Sequence, residues 1–419
     1  MLRFAPSLTG DMDINDLRVA LLNYYASKSL DENLIIRMQD MDKEKNIEGQ
    51  DQEILDLLAL FEIEYSQVIY QSENFRFHSA MALQLVHEKK AFSCFCSDEW
   101  LDKKRQEAKE NKQAYSYDDA CRNLHPELVI DNENPFTIRL NRPDKNITLN
   151  DATQGDISYD KDEIDSFVIM EQNKTPTYNF ASAVDDMLND ISLVICTKDQ
   201  IEDTPKQIHI RESLGYDKEV KYAHIANILS SSDNARDTTS VKWLLEEGYL
   251  PSAISNYLVS LANNAPQESF NISNISNSPT HFCLDTLKSI NKEHLKKLDA
   301  TELSRYVGFA DANIGELAKV YLEEASTTKE LRSKIEPIFA SKDIPKEFSQ
   351  IAKTVSKSIK DAPFFQEYDE LKNYVLKDSG LNDEEFSKVF RYLLTGTLYG
   401  PEIASIYKYL KNYIGEIIK

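Results

Sequence analysis

Few residues in this chain have the type and spacing to do chemistry, and they fall into three groups. Cys94 and Cys96 are followed by Cys121 and His125, with Tyr117 between them. A Cys-x-Cys pair with a later cysteine and histidine suits a tetrahedral zinc ion. Three reduced cysteines in a small core are the alternative reading. Arg3 is the second candidate. Its planar fork could hold a carboxylate through two hydrogen bonds, or close a structural ion pair with nearby acids. The third group is Asp13-Ile14-Asn15-Asp16. These carboxylates would repel a phosphate. As helix caps, Asn15 or Asp16 would stabilise the following helix by roughly 1 kcal/mol.

These groups need elements to hold them. Residues 2–4 read as a short strand, 6–15 as a loop, and 17–28 as a helix with Leu17, Ala20, Leu21 and Tyr24 at helical spacing. Residues 33–38 read as a second buried strand. This is the opening of a doubly wound α/β domain, with a loop at the carboxyl end of its first strand. Residues 50–63, 75–90 and 97–112 read as helices. Residues 115–160 are mixed, strand-like and rich in Asn, Asp and Pro, as in an inserted subdomain. Residues 166–170 and 191–195 read as strands flanking a helix that begins near Tyr178, so the α/β domain is expected to resume there. From about residue 240 the pattern is almost wholly helical.

Composition narrows the function. Five cysteines in 419 residues argue against a disulfide framework. The expectation is a cytoplasmic protein without a signal peptide or membrane span. The net charge is −22, from 48 Lys+Arg and 70 Asp+Glu. Residues 301–419 hold 17 and 19 of these, leaving 31 and 51, a balance of −20, for residues 1–300. A triphosphate site wants a positive field, and that part of the chain has a negative one. Glycine is scarce at 11 residues, which leaves few positions for phosphate-cradling loops.

Three stretches resemble the glutamyl-tRNA synthetase family. Arg3-Phe4-Ala5-Pro6-Ser7-Leu8-Thr9-Gly10 through Arg18 is similar to the family opening R-F-A-P-S-P-T-G-x-x-H-I-G-x-x-R. Thr175-Pro176-Thr177-Tyr178-Asn179-Phe180-Ala181 with Val184-Asp185-Asp186 resembles its P-T-Y-x-x-A-x-x-V-D-D segment. Asp203-Thr204-Pro205-Lys206-Gln207 and the block from Gly248 to Leu258 resemble N-T-P-(K/R)-Q and G-(Y/F)-L-P-E-A-(L/I)-x-N-Y-L. The resemblance implies a class I synthetase. Residues 1–75 and 161–228 would be the halves of a Rossmann catalytic domain, and 76–160 a connective insertion for the tRNA acceptor stem. Residues 229–300 would be a stem-contact segment and 301–419 an all-α anticodon-binding domain. The implied reaction joins glutamate to tRNA-Glu or tRNA-Gln through an adenylate, with ATP and magnesium, in a monomer.

Position by position, the resemblance is broken where adenylation is done. Asp13, Ile14, Asn15 and Asp16 stand at the H-I-G-H-type signature, with a carboxylate in place of histidine and Asn in place of glycine. The second signature, K-M-S-K-R, falls on Ser231, Ser232, Asp233, Asn234 and Ala235, none of them basic. Among implied glutamate contacts Arg3, Ser7, Tyr178 and Asn179 remain. Gln39 replaces a carboxylate and Cys196 an arginine. In the zinc knot of some members, His125 lies two residues past the usual place. Three functions follow: an impaired synthetase that still binds tRNA, an active ligase using atypical groups, or an interaction protein partnering a paralogous synthetase.

Overall fold

The computed structural model describes residues 1–229, 239–262, 271–276 and 278–418. They fall into two units, 1–235 with 258–282, and 236–257 with 283–419.

The first unit is built on a seven-stranded sheet. Its strands are β1 (Leu2–Phe4), β2 (Leu34–Met38), β3 (Gln67–Tyr70), β6 (Ile147–Asp151), β7 (Gly155–Tyr159), β9 (Leu193–Thr197) and β10 (Lys221–Ile225). The order is β3-β2-β1-β9-β10-β6-β7. All neighbours pair in parallel except β6 with β7. Strands β1 and β2 are buried at every residue, as a sheet covered on both faces demands. Helix α1 (Ile14–Leu30) connects β1 to β2, and α7 (Thr204–Ser213) connects β9 to β10; between them in the chain come α2 (Gln50–Leu60), α3 (Phe75–His87), α4 (Asp98–Glu110), α5 (Pro126–Ile130) and α6 (Tyr178–Leu188). The chain leaves β1 in one direction across the sheet and β9 in the other. The crevice at the carboxyl ends of β1 and β9 is therefore a topological switch point, where such sheets bind ligands.

Two details differ from the sequence reading. The strand at 166–170 spans Val168–Met170 and does not rejoin the main sheet. This strand, β8, pairs antiparallel with β5 (Thr137–Leu140), which in turn pairs with β4 (Ala91–Cys94), in a separate three-stranded sheet. Conversely, β6 and β7, which lie inside the span read as an insertion, form the outer edge of the main sheet. Hydrophobic alternation marks a strand but carries no record of its partner, so neither pairing was visible locally.

The second unit is helical. Ala300–Tyr306 and Ala312–Tyr321 pack closely, because Gly315 lets the backbones meet. A Cβ there would lie 1.7 Å from the Ala300 carbonyl oxygen. One core links Leu303, Leu317, Leu331, Val355, Phe386, Phe390 and Leu410, all at most a few per cent exposed. No described helix is long and apolar enough to cross a membrane.

Candidate functional site

Arg3 leaves β1 toward α6 (Tyr178–Leu188). Its Nε lies 3.1 Å and its Nη2 3.4 Å from the two carboxylate oxygens of Asp186. Arg37 of β2, two residues past the register partner of Arg3, reaches the same carboxylate at 2.5 Å, and also the carbonyl oxygen of Ser182 at 3.2 Å. All three charged groups are buried. Burial alone would raise the Asp186 carboxyl, but Arg3 and Arg37 hold it below the usual range. Two guanidiniums around one carboxylate leave a net positive charge at the switch point. Arg3 therefore makes the structural ion pair, and its Nη1 stays outside that pairing.

The remaining implied glutamate contacts gather around it unevenly. Tyr178 is half-buried at the start of α6. Burial raises its phenol pKa, while the charges of Arg3 and Arg37 oppose that rise. Asn179 is engaged on both sides, donating to Asp203 at 2.8 Å and accepting from Gln207 at 3.0 Å. Cys196 is buried on β9. Ser7 is exposed, its hydroxyl 2.9 Å from that of Thr9, and it forms a parallel bridge with Gln39.

Beside Cys196 lies a pair the sequence did not reveal. His224 is its register partner on β10. The His224 Nδ1 lies 2.6 Å from Asp151, and Nε2 lies 2.9 Å from the Thr204 hydroxyl. Burial lowers the imidazole pKa, but the hydrogen bonds with Asp151 and Cys196 outweigh it and raise the value from 6.5 to about 9. A histidine with a raised folded pKa stabilises the fold fully below its unfolded value, and that contribution fades as pH rises through the folded value. Stability should thus decline between pH 6.5 and about 9. Chemical denaturation across that range should show a shallower decline in His224→Gln.

The first signature is occupied by its own acid. Asp13, in extended backbone, is the N-cap of α1 and its Oδ1 accepts from the amides of Asn15 at 2.7 Å and Asp16 at 2.9 Å. Asp16 returns the contact to the Asp13 amide, completing a capping box. The cap is Asp13, not Asn15 or Asp16, because helical geometry already begins at Ile14. Asn15 instead accepts from the Ile228 amide at 2.8 Å. The recess in front, about 120 Å³, is lined by Asp11 and Asp16 and by no cation. The second signature, Ser231 to Ala235, lies outside the described residues.

The Sγ atoms of Cys94, Cys96 and Cys121 lie within 4.8 Å of one another. The Tyr117 hydroxyl sits 3.3 Å from Cys94 and 3.4 Å from Cys96. His125 is elsewhere. It is exposed, 3.7 Å from Glu127, at the N-cap of the short helix Pro126–Ile130, and does not join the thiol group. In the helical unit, Lys353, Lys357 and Lys360 are exposed along one face of the helix Ser349–Lys360.

A mainly parallel sheet in this strand order, with a polar crevice at its switch point, is the doubly wound frame that a class I synthetase catalytic domain shares with other nucleotide-binding folds. The family of class I tRNA synthetases (E and Q), catalytic domain, matches residues 1–299. Over their full lengths, the chain is 59% identical to a glutamate–tRNA ligase 2 of Sulfurimonas denitrificans and 44% identical to a glutamate–tRNA ligase 1 of Nitratiruptor. The chain belongs to the glutamate–tRNA ligase family. A glutamate tRNA ligase from Elizabethkingia meningosepticum, solved with its amino acid, shares the fold at a TM-score of 0.82 and 21% identity, covering 100% of this chain and 98% of that one.

Proposed function

We propose that this family member is impaired in adenylate formation and retains tRNA binding. The observation that carries this reading is the Asp13 cap. Where a triphosphate would need free amides at a positive helix end, a fixed carboxylate already accepts from them. The lining of the adjoining recess adds two more carboxylates and no compensating cation. The residues present therefore do not fit ATP with its magnesium. What persists is the positive charge around Arg3 and Arg37, suited to a carboxylate.

For tRNA the support is the lysine face at 353, 357 and 360, set on the near-neutral part of an otherwise acidic chain. In this reading residues 76–160 contact the acceptor stem, 229–300 the stem, and 301–419 the anticodon of tRNA-Glu or tRNA-Gln. The names of the relatives favour a second reading, a working ligase that uses atypical groups. Two assays separate the readings. Glutamate-dependent pyrophosphate exchange should stay near background, while filter binding should retain tRNA at low salt and lose it as salt rises. Exchange at the family's level, abolished by Arg3→Ala, would overturn impairment. No tRNA retention at low salt would point to an interaction protein.

Three thiols within 4.8 Å and a phenol between them fit a zinc ion held by Cys94, Cys96, Cys121 and Tyr117. Bound there, zinc would cross-link strand Ala91–Cys94 to the loop around Cys121. We expect about one zinc per chain by elemental analysis, lost in Cys96→Ser/Cys121→Ser and kept in His125→Ala.

A further inference from the structure

Residues 1–300 carry a balance of −20 (31 Lys+Arg against 51 Asp+Glu), yet one groove in the first unit is basic. It has a volume of about 410 Å³ and lies at the C-terminal end of α7. Its cations are Lys89, Lys90, Arg122, Arg142 and Lys145, against Asp144 and Glu212 in the same walls. The local structure gathers them. Lys89 has a φ of 59° at the end of the helix Phe75–His87, and this turn sets Lys89 and Lys90 at one lip. Lys90 is held by the Ser213 carbonyl and by an ion pair with Glu88, both at 2.7 Å. Arg122 and Arg142 share the single carboxylate of Asp119, at 3.5 and 3.1 Å. Lys145 pairs with Glu212 at 3.1 Å. Lys89 has no ion-pair partner among the described residues.

A second groove, about 690 Å³, adjoins the first and shares Lys145 and Glu212 with it; Lys218 adds a cation to its walls, and Asp156, Asp217 and Glu219 make it the more acidic of the two. Arg211 lines it and is 4% exposed. Its Nη2 donates to the Tyr222 hydroxyl, while its Nη1 is buried without a hydrogen-bond partner. A buried guanidinium donor left unpaired is costly, and such groups call for an acceptor. Thr204, at the other end of α7, touches His224 beside the candidate catalytic crevice. The ten residues of α7 separate the two places by about 15 Å.

We propose that the basic smaller groove, with Arg211 beside it, binds a compact polyphosphate, free or carried on a nucleotide. The surrounding acidic field selects for compactness. Charges are screened over about 8 Å at physiological salt, so an anion confined to the smaller groove meets mainly the cations of its walls. A long nucleic-acid backbone would run onto the acids beyond.

The test is calorimetric titration of the full chain at low salt with tripolyphosphate and, separately, uridine triphosphate. Both are expected to bind, and Lys89→Gln/Lys145→Gln should weaken both at least about tenfold. Lys89→Arg/Lys145→Arg should restore binding to within about threefold, which excludes a folding defect. Arg211→Leu should weaken binding with an unchanged far-UV spectrum. Tighter binding of the nucleotide than of tripolyphosphate would place the nucleoside in the larger groove, and equal affinity would identify the phosphate chain alone as the ligand. No binding of either probe, or binding lost in Arg3→Ala but kept in Lys89→Gln/Lys145→Gln, overturns the proposal.

Discussion

Replacing Asp186 with alanine is expected to destabilise the first unit by about 3–5 kcal/mol, the range for removing one partner of a buried ion pair. Asp186 is the carboxylate that both Arg3 and Arg37 reach, and all three are buried. Its loss leaves two buried guanidiniums facing each other without the carboxylate they share. Chemical denaturation measures the effect. Asp186→Asn should be nearly as damaging, because shape is kept but charge is lost. Arg3→Ala should cost less, since Arg37 would still neutralise Asp186. A loss below about 1 kcal/mol in Asp186→Ala would show that the cluster is solvated, and the positive charge assigned to the switch point would then be wrong.

The second large effect is on adenylation. Removing one preorganised donor typically lowers a rate by about 10²–10³. Here the signature at the start of α1 offers an acid, and the crevice has Cys196 and Gln39 where the family resemblance implies an arginine and a carboxylate. Pyrophosphate exchange should therefore run at least about 10³ below an intact relative assayed in parallel. Asp13→Ala should not raise it, and should cost α1 about 1 kcal/mol through the lost cap. Asp13→His/Asn15→Gly should recover only a small part, because catalytic groups that act together do not contribute additively. Full recovery from these two changes would mean that every other difference in the crevice is neutral.

The two results would separate roles that overlap in the crevice. A carboxylate that caps a helix and a carboxylate that pairs with two arginines are both structural, and both sit where substrate charges would otherwise be met. Stability and phosphate binding are in competition at the start of α1, since the amides that bind Asp13 cannot also bind an anion.

Much of this was legible in order and periodicity. Residues 2–4 and 33–38 as strands, 17–28 as a helix and the helical run after 240 all follow from local patterning, which depends on near neighbours alone. The family followed from motif order, and the broken first signature was visible as residue types. His224 with Asp151 gave no signal, because Asp151 lies in the Asn- and Asp-rich stretch that reads as an inserted subdomain, apart from the sheet that holds His224.

The sequence by itself determined the class I fold, the family and the loss of basic groups at the first signature. Only the tertiary structure decided that Arg3 is balanced by Asp186, 183 residues away, that Asp13 is the residue closing the helix end, and that Tyr117, not His125, meets the thiols. The reason is that residue type sets what a side chain can do, while the path of the backbone sets which group it faces. Charges far apart in the chain find each other only when the fold brings the strands and the helix that carry them together.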